Sequence, residues 1–127
     1  ATAMIRVPTQ ASDGRANLHQ GGLGLAVDLA DGRVYRAWHR GRSVATHPDT
    51  GAPLLGQCVP DWGGILDIAD RVARVLPLKY LGLDLVVDAT RGAMVLEVNV
   101  RPGLEIQNVT ATPLRARFRA MGLGGRP

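Results

Sequence analysis

Asp84, Glu97 and Asn99 are the side chains of this sequence whose types and spacing could do chemistry together. They stand in the stretch Gly-Leu-Asp-Leu-Val-Val-Asp-Ala-Thr-Arg-Gly-Ala-Met-Val-Leu-Glu-Val-Asn-Val-Arg-Pro-Gly, residues 82–103. Two apolar, β-branched runs flank Ala89-Thr90-Arg91-Gly92, the pattern of a β-hairpin. Side chains alternate with period two, so Leu83, Leu85 and Val87 oppose Asp84, Val86 and Asp88 on the first strand. On the second, Met94, Leu96, Val98 and Val100 oppose Val95, Glu97 and Asn99. Carboxylates stay off the apolar side only if the Asp84 face continues into the Glu97 and Asn99 face. A turn of two or four residues does this and sets Asp84 directly opposite Glu97, whereas a turn of three flips the faces. Opposed side chains have Cβ atoms about 4.5–5.5 Å apart, and two bare carboxylates there repel. A divalent cation turns the repulsion into coordination. The donors are all oxygens, which favours Mg²⁺, Mn²⁺ or Ca²⁺ over zinc, and so few protein ligands fit Mg²⁺ shared with phosphate oxygens best. The plainer alternative is an acidic, solvated sheet face. It explains one acid better than two opposed acids, an amide two residues on, and the Arg101-Pro102-Gly103 that follows.

The rest of the chain supplies elements to hold this hairpin. Thr2 to Val7 reads as a strand stopped by Pro8, and a chain entering a strand at once is expected of one half of a larger fold. Gln10 to Gly21 is polar and turn-rich and carries Arg15, Asn17 and His19. As plain loop residues these would be a solvated charge, a turn amide bonding its own backbone, and a packed histidine. The following Gln20-Gly21-Gly22-Leu23-Gly24 lacks the Lys-Ser/Thr of a Walker loop and leads into a strand. Gly22 to Leu29 and Arg33 to His39 form a second hairpin about the Asp31-Gly32 turn signal. Arg40 to Pro60, punctuated by glycine and proline, reads as a long loop whose His47-Pro48-Asp49-Thr50-Gly51 is a turn. Asp61 is the expected N-cap of an amphipathic helix with Ile65, Ile68, Ala69, Val72, Val75 and Leu76 as its stripe. Asp67 with Arg71 and Asp70 with Arg74 are i,i+4 pairs, and Pro77 ends the helix. A helix is expected near Leu104, and Thr112-Pro113 reads as N-cap and first turn of a last one. Antiparallel hairpins with a helix between them indicate α+β, a largely antiparallel sheet with helices on one face.

Two of these segments resemble one family. Glu97-Val98-Asn99-Val100-Arg101-Pro102-Gly103-Leu104, preceded by Gly82-Leu83-Asp84, looks like the C-terminal metal-binding signature of ATP-grasp enzymes. Arg15-Ala16-Asn17-Leu18-His19-Gln20-Gly21-Gly22 resembles the Arg-x-Asn-Leu-His-x-Gly-Gly segment of the branch that includes ribosomal-protein glutamate ligases. The similarity is strongest to alpha-L-glutamate ligase-like, sugar-transfer-associated ATP-grasp proteins. It runs roughly from Ala3 to Phe118 and implies the C-terminal half of an ATP-grasp fold over residues 1–121, while Gly-Leu-Gly-Gly-Arg-Pro at 122–127 reads from its composition as a flexible tail. It implies an ATP- and Mg²⁺-dependent carboxylate–amine ligase working through an acyl phosphate. Asp84, Glu97 and Asn99 would hold two Mg²⁺ ions (or Mn²⁺), with Glu97 bridging. Arg15, Asn17 and Asn99 would bind nucleotide, and Arg15 with Arg101 would serve catalysis. The partners implied are carboxylate and amine substrates and the missing N-terminal ATP-grasp portion. That portion would carry the adenine-gripping lysines and the phosphate loop, so the chain alone is expected to be inactive. The alternative is a non-catalytic Mg²⁺- or nucleotide-binding module, or a subunit of a split ATP-grasp protein.

The totals agree with such a reading. At 127 residues there is room for one modest core, and aromatics at 4% leave it to Leu, Val, Ile and Ala. The charge of +4 is almost wholly arginine, Lys79 being the one lysine, and arginine suits bidentate binding of phosphate and carboxylate. The arginines are scattered with no aromatic platform, which ranks nucleic acid well below a ligase. Cys58 is alone, no apolar run nears a membrane span and no signal segment is evident, so a cytoplasmic protein is expected.

Overall fold

The alternating and amphipathic runs form, in a computed structural model describing residues 1–78 and 80–122, six strands and three helices. The tail expected over residues 122–127 lies, apart from Gly122, outside the described residues. Both sheets are antiparallel, as the hairpin signals require, and the class is α+β. The chain divides into two units, Ala1–Gln57 with Leu104–Pro127, and Cys58–Gly103.

The first unit is a four-stranded sheet in the order β1 (Ala3–Val7), β2 (Leu23–Val27), β3 (Val34–His39), β4 (Arg42–Val44). β2 is buried at every residue, so it reads as a continuous apolar run and not as a half-wet strand. The short helix α2 (Glu105–Thr110) packs on β1, β2 and β3. Its fully buried Val109 lies over Gly24, where a Cβ would stand 2.5 Å from Val109 Cγ2. Glycine is therefore required by the close approach of helix to strand. A bulge at Tyr35 shifts register between Ala26↔Arg36 and Val27↔Val34. The segment expected as one long loop is more ordered than that: β4 pairs with β3, and Thr46 bridges Pro53. The last helix, α3 (Leu114–Ala120), starts after Pro113 with no cap from Thr112, whose hydroxyl donates to the Thr110 carbonyl instead. The Gln107 side chain accepts from the Leu114 N–H at 2.8 Å and takes over that capping role.

Arg36 joins β3 to the end of α2. Its guanidinium donates to the carbonyls of Asn108 and Val109 and lies 4.5 Å from the Trp38 ring centroid. A cation on the last carbonyls of a helix is favoured by the helix dipole, and the ring adds a cation–π term. Arg36→Ala is expected to cost about 1–2 kcal/mol, read as a lower urea midpoint at unchanged m-value. Arg36→Lys recovers only part, because an ammonium cannot serve both carbonyls in a planar fork.

The second unit is α1 (Trp62–Val75) with the hairpin β5 (Gly82–Asp88) and β6 (Gly92–Asn99), α1 packing on β6. Asp61 stands at the N-cap position, as expected, and its carbonyl accepts from the Ile65 N–H at 3.0 Å, but not as a side-chain cap. Asp61 is left-handed at φ 51° and its side chain makes no capping bond to the helix. Its carboxylate accepts from the Ala93 N–H at 3.3 Å, so it ties the helix start to β6. Gly64 and Gly92 leave room for it, since a Cβ at either would lie 2.6 or 3.0 Å from its oxygens. Of the two expected i,i+4 pairs Asp70–Arg74 forms, at 2.7 Å, and Asp67–Arg71 is not among the ion pairs of the described residues. Val75, expected on the apolar stripe, is 79% exposed at the helix end, where the chain turns away before Pro77.

Candidate metal and phosphate site

The expected acid pair forms. Asp84 is the cross-strand partner of Glu97, and Gly82 that of Asn99. Asp84 and Asn99 are half-buried, and Glu97 is exposed. The route to this register differs from the expected one. Asp88 pairs with Gly92, so the turn holds three residues, Ala89, Thr90 and Arg91, with Gly92 at φ 73°. Three residues flip the faces, as the period-two rule requires. Near the tip Leu85 accordingly pairs with Val95 and Val86 with Met94, which exchanges Met94 and Val95 relative to the alternation read from sequence. Leu96 is then passed over between Asp84↔Glu97 and Leu85↔Val95. This bulge flips the faces back just before the acids, and bulges often re-aim side chains in this way at functional sites.

The turn is closed by Asp88, whose Oδ1 accepts from the N–H groups of Thr90 and Arg91, both at 2.9 Å. These bonds, that from Arg91 first and that from Thr90 second, hold the Asp88 carboxyl below the ordinary carboxylate range. A lowered folded-state pKa means that the contribution is complete above the unfolded pKa and is lost as pH falls through the folded one. Acidification below the ordinary carboxylate range is therefore expected to lower the amide protection factors of Thr90 and Arg91, that is, to raise their exchange rates relative to the unprotected amides at the same pH. Asp88→Asn, which keeps the acceptor oxygen without the charge, is expected to remove that step.

Gly82 is as constrained as Gly24. A Cβ there would lie 2.5 Å from Pro102 Cβ and 3.6 Å from Asn99 Cβ. The missing side chain lets the Arg101-Pro102 turn fold back over the start of β5. Arg101 itself is exposed. Among the described residues no group of three or more His, Cys, Asp or Glu is placed to hold a metal. The candidate set is two carboxylates and an amide. That is short for an all-protein cage but suited to Mg²⁺, which keeps several other oxygen ligands.

Arg15 and Asn17 belong to the first unit. Arg15 is exposed on an irregular stretch between two 3-10 turns, Gln10–Ser12 and Leu18–Gln20. Asn17 caps the second, its Oδ1 accepting from the His19 N–H at 3.0 Å, which is the turn role open to it from sequence. His19 lies 3.9 Å from Glu105 and is largely exposed.

Sequence reading missed the buried polar knot beneath this segment. Thr9 Oγ1 donates to the Gly21 carbonyl at 2.7 Å, and His39 Nε2 lies 3.0 Å from the same oxygen. Thr9, Ser12 and His39 are all buried, and Thr9 with Ser12 forms a capping box. The one signal for it was the Thr-Gln-Ala-Ser spacing, which resembles a helix-start pattern with serine in place of the acid.

The profile of the sugar-transfer associated ATP-grasp family matches residues 1–122, which takes in both units and every candidate residue. The chain belongs to that family. The ATP-grasp resemblance of the two motifs is thus confirmed at the level of the superfamily. Membership supports a general ATP-dependent, ligase-like function with nucleotide binding, and ATP-grasp proteins generally use ATP and Mg²⁺. No curated protein and no solved structure matched the chain. Among the described residues no helix is long and apolar enough to cross a membrane.

Proposed function

We propose that the chain is the C-terminal catalytic portion of an alpha-L-glutamate ligase-like ATP-grasp enzyme that joins a carboxylate to an amine. The observation that carries this reading is the direct pairing of Asp84 with Glu97, with Asn99 two residues on. A sheet built for stability alone avoids opposed acids, because like charges directly across a ladder destabilise it.

In this reading Asp84, Glu97 and Asn99 hold two Mg²⁺ ions. The bound ions supply charge neutralisation at the phosphate oxygens. The γ-phosphoryl group of ATP passes to the substrate carboxylate, and the amine then displaces phosphate from the acyl phosphate. No protein nucleophile is needed. Arg15 and Arg101 offset negative charge on the phosphoryl oxygens through their guanidinium donors, and Asn17 and Asn99 orient nucleotide or substrate oxygens. Residues 1–127 taken alone bind Mg²⁺–ATP weakly and do not turn over, because the adenine-gripping lysines that the resemblance calls for are not among them. Calorimetric titration of this chain is expected to give an affinity weaker than micromolar, with no phosphate released. Micromolar binding without turnover would favour a non-catalytic nucleotide-binding module instead. In this reading the ligase works in the cytoplasm, where the lone Cys58 stays reduced.

A further inference from the structure

His47 and Asp49 lie on a loop that the proposed chemistry does not use, yet their side chains are only 15% and 18% exposed. The His47 ring is held on both nitrogens. The Asp49 N–H donates to Nδ1 at 3.2 Å, and Nε2 lies 3.2 Å from the Pro8 carbonyl oxygen, a pure acceptor that a proton on Nε2 satisfies. Asp49 Oδ2 accepts from the Gln10 N–H at 2.8 Å. Two backbone groups on either side of Thr9, the Pro8 carbonyl and the Gln10 N–H, are therefore gripped by one loop, which is itself closed by the Thr46–Pro53 bridge and by Gly51 N–H to the His47 carbonyl.

What they grip leads directly to Arg15 and Asn17. Thr9, between the two gripped residues, closes the capping box with Ser12 and bonds the Gly21 carbonyl. Arg15 is held otherwise by its N–H to the Ser12 carbonyl, whereas Asn17 donates its N–H to Arg15 and accepts at its carbonyl from Gln20 and, at 2.8 Å, from Gly22 at the head of β2. The placement of Arg15 thus depends on where the Thr9–Ser12 turn is set, and that of Asn17 on the turn and on β2 together. Supporting residues that fix a ligand-binding group are commonly as necessary as the group itself.

We propose that His47 and Asp49 are positioning residues that set the Arg15–Asn17 segment for a phosphoryl anion. The proposal rests on the role given to Arg15 and Asn17 above. Two readouts on the 127-residue chain test it: amide exchange, and titration with inorganic pyrophosphate followed at Arg15 and Asn17 by NMR. In His47→Ala, exchange at the bonded amides between Gln10 and Gly22 is expected to rise about tenfold while β2 and β3 keep theirs, and pyrophosphate affinity is expected to fall about tenfold. His47→Gln places a donor near the Nε2 position and is expected to restore both. Unchanged exchange over that segment, a rise spread evenly through the sheet, or faster exchange with unchanged pyrophosphate affinity each overturns the proposal. A wild-type chain whose Arg15 and Asn17 ignore pyrophosphate overturns it together with the proposed role of those residues. That failure is told apart because it needs no substitution.

Discussion

In the longest natural protein that carries this chain, Glu97→Gln is expected to lower Mg²⁺-dependent phosphate release from ATP by about a hundredfold or more, some 3 kcal/mol of transition-state stabilisation. The substitution keeps size and hydrogen-bonding capacity and removes the negative charge that pairs with Asp84. Because Glu97 is exposed, the fold is expected to survive. As a surface substitution it is expected to change the stability of the metal-free variant by no more than about 0.5 kcal/mol. Lost activity at unchanged stability separates a metal-binding acid from a structural one. Phosphate release assayed with a panel of amino acids, together with thermal unfolding with and without Mg²⁺, gives both. Retained Mg²⁺-dependent release in the variant would sink the metal reading.

Gly24→Ala is expected to have the largest effect on folding. Alanine in a strand interior normally gains over glycine by about 0.5–1 kcal/mol through backbone entropy. Here the added Cβ would meet Val109 Cγ2 at 2.5 Å, with Val109 Cγ1 and Leu18 Cδ2 at 3.1 Å. Val109 is fully buried between helix and sheet and has no space to yield. The clash wins, at a net cost of about 1–3 kcal/mol, and the thermal midpoint drops by several degrees. Gly14→Ala serves as a control for the loss of a glycine, since a Cβ there meets nothing within 4 Å and only the left-handed φ of 71° opposes it.

Much of the site was legible from residue types. Alternation and the wish to keep acids off the apolar face were enough to pair Asp84 with Glu97, and the pair forms. The same reasoning gave the wrong turn length and the wrong faces for Met94 and Val95, because a bulge leaves no compositional mark. Leu96 is as ordinary a strand residue as Val95. At Asp61 the position was right and the side-chain role was not: with a left-handed φ the carboxylate bonds the Ala93 N–H and makes no bond to the helix amides. The His47 segment, expected as a type I turn capped by Asp49, does turn, but it is closed by the Gly51 N–H on the His47 carbonyl, and the Asp49 carboxylate bonds Gln10 instead. Its docking on Pro8 and Gln10 was not legible, because contacts across some forty residues of chain depend on tertiary folding. The Thr9–Gly21–His39 knot was hidden for the same reason.

The residue skipped at Leu96 also separates two properties that a regular ladder would lock together. Cross-strand pairs at the tip sum to 180 in residue number (Asp88 with Gly92), and those at the mouth to 181 (Asp84 with Glu97). One residue inserted in the turn and one removed at Leu96 would leave the acids facing each other. The tip can thus change length by one residue while the mouth keeps its phase, provided the strand gives up its extra residue at Leu96.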